Sequence, residues 1–155
     1  MPDPTTKKRA ARDLAQGKSK STAAGEFVRE EMHHIREGKH GARNAKQAIA
    51  IGLSKARRAG VNAKPGPGAS KRVRKKAAQD SARAGKKTNP RRARASEAAR
   101  KREPRSAASH TALSRQAKAS AQRRKKRGGA NAPRAVARRA AETRKRRAAK
   151  SRAVA

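Results

Sequence analysis

Large apolar residues are spaced unevenly along this chain, and their spacing predicts two helices near its start. Val28, Met32 and Ile35 stand at i, i+4 and i+7 with Phe27 beside them, the period of one helix face. The spacing predicts a helix over 23–37. Thr22 offers an N-cap, Glu26 suits the first turn, and Gly38 falls where a helix ends. A second stripe of Ala45, Ile49, Leu53 and Ala56 predicts a helix over 45–59. Asn44 and Gln47 have the spacing of a capping box, with Asn in place of the usual Ser or Thr. Arg57 and Arg58 complement the dipole at its far end, and Gly60 closes it. The connector over 38–43 is short enough for a helical hairpin. Gly52 leaves room for another helix to come close.

Beyond Gly60 the pattern changes. Lys64-Pro65-Gly66-Pro67-Gly68-Ala69-Ser70 has the composition of a linker. After it, alanine and cations replace the apolar stripe. Pro90, Pro104 and Pro133 each precede a stretch rich in Ala and Arg, and proline suits the first helical position. Glu97 precedes Lys101 by four residues, as Glu142 precedes Arg146, a supportive helical spacing. Helix-prone segments are therefore expected over 90–102, 106–127 and 133–150, with Gly128-Gly129 ending the middle one. Without an apolar stripe they are expected to be mostly unfolded in water and to form when phosphate removes their repulsion.

Composition sharpens this division. The 155 residues carry 46 Lys and Arg against 10 Asp and Glu, a formal charge of +36. Only fourteen residues are apolar and larger than alanine, too few for a core of the full chain. Residues 21–60 hold seven of them, and 61–155 hold five with 32 basic and four acidic side chains. The expected architecture is mostly α: a short N-terminal helical hairpin followed by a long, largely disordered, helix-prone basic tail. The parts are a flexible basic arm at 1–20, the hairpin at 21–60, a Pro/Gly linker at 61–70 and a nucleic-acid-binding tail at 71–155. Some 40 residues lie near the lower limit for folding alone. Val28, Met32, Ile35, Ile49, Ile51 and Leu53 are accordingly expected to meet a second copy or a partner protein.

The cations recur in clusters. They are Lys71, Arg72, Arg74, Lys75 and Lys76; Arg91, Arg92 and Arg94; Arg100, Lys101 and Arg102; Arg123, Arg124, Lys125, Lys126 and Arg127; and Arg144, Lys145, Arg146 and Arg147. One isolated cluster would be an ordinary solvated face. Five with almost no acid between them demand a polyanion. Phe27 is the sole aromatic residue, so the tail lacks the stacking platforms that single-strand readers use. What remains is counterion release from phosphate, which ignores sequence, and arginines entering minor grooves. Duplex DNA is the partner this predicts.

Other chemistries find little support. There is no cysteine, hence no disulfide, thiolate site or cysteine nucleophile. His33 and Glu37, four apart, share a helix face, but His34 points elsewhere and His40 lies beyond Gly38. Histidines facing solvent or phosphate are expected, with no metal or cofactor. Glu30 and Glu31 diverge on a helix and are expected to pair with Arg29, Arg36 and the histidines. No phosphate loop or nucleophile–base set appears, so no enzyme activity is expected. The tail lacks the large apolar face of a membrane-bound helix, and no apolar run is long enough to cross a bilayer. A cytoplasmic, nucleoid-associated chain is expected.

Lys46-Gln47-Ala48-Ile49-Ala50-Ile51-Gly52-Leu53-Ser54 and Ala56-Arg57-Arg58-Ala59-Gly60 resemble a segment of a small uncharacterised family of basic bacterial proteins. The likeness covers 24 to 36 residues. Lys55 departs from it, standing where the family pattern has an acid. The resemblance implies a bacterial helical module and lends no activity. Residues 61–155 resemble, in composition, the tails of linker-histone-like bacterial DNA-binding proteins. The expected function is a sequence-nonspecific, histone-like DNA-binding protein that neutralises and bridges phosphate backbones. The alternatives are an RNA- or ribosome-associated basic protein, and a protein-binding adaptor localised by its tail.

Overall fold

The computed structural model describes residues 2–128, 137–138 and 140–144. Among them the regular structure is helical throughout. Six α-helices run over Pro4–Ala15 (α1), Lys20–Arg36 (α2), Ala45–Arg58 (α3), Lys71–Ala82 (α4), Pro90–Lys101 (α5) and His110–Gly128 (α6). A 3₁₀ turn at Arg105–Ala108 precedes α6.

Short polar side chains set where these helices begin. The first turns of α1 to α6 are capped by Asp3, Ser19, Asn44, Ser70, Asn89 and Ser109, each accepting a backbone N–H two or three residues on. Ser19 moves the start of α2 three residues ahead of the expected Ala23, and Thr22 becomes part of its first turn. The box at α3 closes one residue early. The Gln47 side chain takes the Arg43 N–H at 2.8 Å while Asn44 takes that of Gln47 at 2.9 Å. Gly38 and Gly60 end α2 and α3 at φ 77° and 93°, a conformation that costs glycine least.

The expected hairpin is present, and α2 against α3 is the most extensive helix pairing. Gly52 permits it. A Cβ there would lie 2.6 Å from the Val28 Cα, so only glycine lets the backbones come this near. Two apolar clusters form along α2. Near its start, Phe27, Ala23 and Ala24 pack with Ala10 of α1, Ala56 of α3, and Val61 and Ala63. Near its end, Met32 and Ile35 pack with Ala42, Ala48, Ala107 and Ala108.

Both clusters reach outside residues 21–60. The sequence placed a flexible arm at 1–20, whereas α1 lies along α2 with Thr6 and Ala10 almost wholly buried. It also placed a boundary at 61–70, whereas one compact unit extends to Leu113 and a second begins at Ser114. The reason is alanine. Of the fifteen buried apolar residues described, eleven are alanine, a residue that the count of large side chains leaves out. Alanine brings little area per residue but loses no rotamer freedom on burial, and it lets helices pack closely.

Candidate nucleic-acid interface

The fold pairs most of its acids with cations, burying Asp13, Glu30, Glu31 and Asp80, and leaves most cations facing solvent. Among the described residues, seven of the chain's ten acids face a Lys or Arg within 4 Å: Asp13, Glu26, Glu31, Glu37, Asp80, Glu97 and Glu103. Acids spent in this way leave little to offset the cations that face solvent.

On α4 only Ala77 and Asp80 are buried, one turn apart on a single face. Asp80 accepts from Ser54 at 2.9 Å and pairs with Arg58 at 3.2 Å and Lys76 at 3.0 Å. Burial raises its pKa. The hydrogen bonds from Lys76, Ser54 and Arg58, with the Lys76 charge, outweigh burial and hold it below the ordinary carboxylate value. This one seat turns Lys71, Arg72, Arg74 and Lys75 outward, all exposed. Arg74 bonds the Pro67 carbonyl at 2.7 Å, which ties the linker to the helix. Lys76 is exposed but shared with Asp80.

On α5 no side chain is buried. Arg91, Arg92, Arg94 and Lys101 are exposed, as is Arg102 after its end, and Lys101 meets Glu97 at 3.3 Å. Arg100 differs. It is half-buried, its guanidinium bonds Ser96, and its carbonyl accepts from Gly41 at 2.9 Å. The next residues dock on the end of α2 and the loop after it: Ala42 N–H reaches the Pro104 carbonyl at 3.0 Å, and the Arg36 guanidinium reaches that of Ala108 at 3.0 Å.

In the second unit, Arg123, Arg124, Lys125 and Lys126 are exposed on α6, and Arg144 is exposed. The side chain of Arg127 lies outside the described residues, as do Lys145, Arg146 and Arg147. Outside the clusters, Lys7, Lys8 and Arg12 are exposed on the open face of α1, and Arg115 and Lys118 on α6. The i, i+3 spacing of the latter pair was the available signal.

The residues expected to meet a partner lie differently. Met32 and Ile35 are 7% and 0% exposed, and Val28, Ile49 and Leu53 pack against the two clusters. The chain itself covers them, through α1, Val61, Ala63, Ala107 and Ala108. Ile51 is half-buried and belongs to neither cluster. Arg57 is 8% exposed and gives its guanidinium to the Ala63 carbonyl at 2.9 Å, so it is a strut rather than a surface cation.

Glu30 and Glu31 meet histidines, as expected, while among the described residues neither pairs with Arg29 or Arg36 and Glu31 gains Lys55. His33 is exposed and Glu37 pairs with Lys39 at 2.9 Å. Glu30 accepts the Asp3 N–H at 3.2 Å and lies 3.8 Å from His34. Glu31, wholly buried, meets Lys55 at 2.5 Å and His40 at 3.3 Å. Lys55, the departure from the family-like segment, thus has an anion. Burial, then the Lys55 charge, lowers the pKa of His34. Among the described residues no helix is long and apolar enough to cross a membrane. No family model matches the chain, and no curated protein or solved structure matches it.

Proposed function

We propose that this protein is a non-enzymatic, histone-like protein of the nucleoid that binds duplex DNA without reading its bases. The observation that carries this reading is α5, twelve residues long with no buried side chain. A helix half-buried only at Arg100, near its end, gains little from packing its sides, and its neighbouring arginines repel one another. A phosphate surface reverses both effects, because each Lys or Arg contact releases a condensed counterion. Such contacts position a protein on a duplex and carry no sequence information. Phe27 is 1% exposed, so it offers no face for stacking bases.

In this reading the compact unit is an anchor with cations on α1, α4 and α5. The basic clusters from residue 114 onward, those on α6 among them, add further cations for phosphate. Cations on several helices let one molecule touch two duplexes. The resemblance of residues 61–155, in composition, to the tails of linker-histone-like bacterial proteins agrees with this role.

The test is binding of the full chain to a duplex, a scrambled duplex, a single strand and a structured RNA across salt concentrations. If about ten phosphates are engaged, log K falls by roughly 9 per decade of salt. Affinity that stays nearly flat with salt rules out the phosphate mechanism. A preference between duplexes beyond about tenfold, ~1.4 kcal/mol, reveals a base-reading element. Tighter binding to RNA transfers the reading to an RNA-associated protein.

A further inference from the structure

Away from the cationic surface, three side chains of ligand type converge. Glu31 and His34 stand one turn apart on α2, and His40 lies in the loop that follows. Each offers one atom, and these atoms all lie within 4.8 Å of one another. The Glu31 side chain is 0% exposed, that of His40 9% and that of His34 21%.

The hydrogen bonding of His40 sets up a specific conflict. Its Nδ1 lies 3.1 Å from the Gly41 carbonyl oxygen. A carbonyl only accepts, so Nδ1 carries the hydrogen. In the neutral ring Nε2 then presents a lone pair, and it faces Glu31 Oε1 at 3.3 Å. Two lone pairs at that distance, out of water, need a cation between them. A proton on Nε2 is one solution, but no aligned hydrogen bond reaches either oxygen of Glu31. A metal ion is the other. A metal-bound histidine characteristically donates its second ring N–H to a carbonyl or carboxylate, as His40 does here.

We propose that Glu31, His34 and His40 form a three-ligand site for a divalent transition metal of the zinc class, with a fourth position open to water. Two imidazoles and one carboxylate suit zinc, nickel or cobalt better than calcium or magnesium, which favour all-oxygen shells. Three protein ligands with one open position is a regular zinc arrangement. Lys55 is the internal rival, because its ammonium already holds Glu31 Oε2. A metal here would pin the loop after α2, the same loop whose Gly41 and Ala42 receive the segment around Arg100 and Pro104. Zinc would thereby strengthen the seat of residues 100–108.

The test is titration of the nucleic-acid-free full chain with cobalt(II), read by its visible absorption and followed by displacement with zinc. One equivalent is expected to produce a saturable tetrahedral-type band that zinc removes, and zinc is expected to raise the thermal midpoint. His34→Gln and His40→Gln should each abolish the band with helicity by circular dichroism unchanged, while the exposed His33→Gln retains it. Lys55→Met should tighten zinc binding by about tenfold or more, since it removes a unit charge beside the site. Absence of a saturable band overturns the proposal. So does a band that survives in both His34→Gln and His40→Gln, or one lost equally in His33→Gln.

Discussion

Asp80 accepts a hydrogen bond from the Ser54 hydroxyl at 2.9 Å, and this contact fastens α4 to α3 across the Pro/Gly stretch. Asp80 is 1% exposed. Asp80→Ala leaves Ser54, Arg58 and Lys76 facing a space without an acceptor. The expected loss is about 1–3 kcal/mol, read as a lower midpoint in thermal or urea unfolding by circular dichroism. Val73→Ala, on the exposed side of the same helix, should change stability by less than about 0.5 kcal/mol. Equal effects from the two would mean that α4 is not held by Asp80.

The same carboxylate gives the fold an acid-sensitive component. Its folded-state pKa lies below the ordinary value, because bonds from Lys76, Ser54 and Arg58 overcome the opposing effect of burial. Stabilisation is therefore complete above the unfolded pKa, near 4, and drains away as pH falls through the lower folded value. Asp80→Asn cannot titrate at this position. The stability gap between wild type and Asp80→Asn should hold from neutral pH to about pH 5 and narrow below about pH 4. A gap that stays constant to pH 2 would sink this assignment.

Gly41 marks where the segment after α5 meets the hairpin. A Cβ on it would stand 1.8 Å from the Glu103 carbonyl oxygen and 2.4 Å from its carbon. Both are backbone atoms, so no side-chain rotation relieves the clash. Gly41→Ala should unseat residues 100–108 at a cost of about 1–3 kcal/mol. Hydrogen exchange should then speed up around Ala107 and Ala108 and stay unchanged in α1. Gly25→Ala is the control. Nothing lies within 4 Å of its added Cβ, and the swap should stabilise α2 by up to about 1 kcal/mol.

Cations of the surface and of the interior should separate cleanly under mutation. Replacing Arg91, Arg92 and Arg94 by Gln touches no buried group and should leave the melting temperature nearly unchanged. It should reduce the magnitude of the salt slope by up to roughly 2.7, about 0.9 for each phosphate no longer neutralised. Arg57→Gln should do the reverse, costing about 1–3 kcal/mol of stability through the Ala63 carbonyl with little change in slope. Identical behaviour of the two variants would show that exposure does not decide which cations bind.

Much of the hairpin was legible, because Val28, Met32, Ile35, Ile49 and Leu53 carry a 3.6-residue period and glycines close both helices. Gly52 was legible as a close approach for the same reason that it is conspicuous, a missing side chain in an apolar stripe. The packing of α1 was not. Its buried positions are Thr6, Ala10 and Asp13, none of them a large apolar residue, although Asp3 followed by Pro4 is a strong helix start. The docking of Ala107 and Ala108 was hidden similarly, since two alanines in a basic stretch look like any others. Glu31, His34 and His40 came together only in three dimensions. A turn of helix and a loop bring them within reach, and linear spacing drew attention to His33 and Glu37 instead.

The alanine-lined interior carries a thermal consequence. The heat-capacity change of unfolding grows with the apolar area exposed, commonly about 12–15 cal/mol/K per residue. Methyl-sized side chains contribute little of that area. The curve of stability against temperature should therefore be shallow, with the unit giving up little of its stability on cooling. Calorimetry at several pH values, plotting unfolding enthalpy against midpoint temperature, would measure that slope directly.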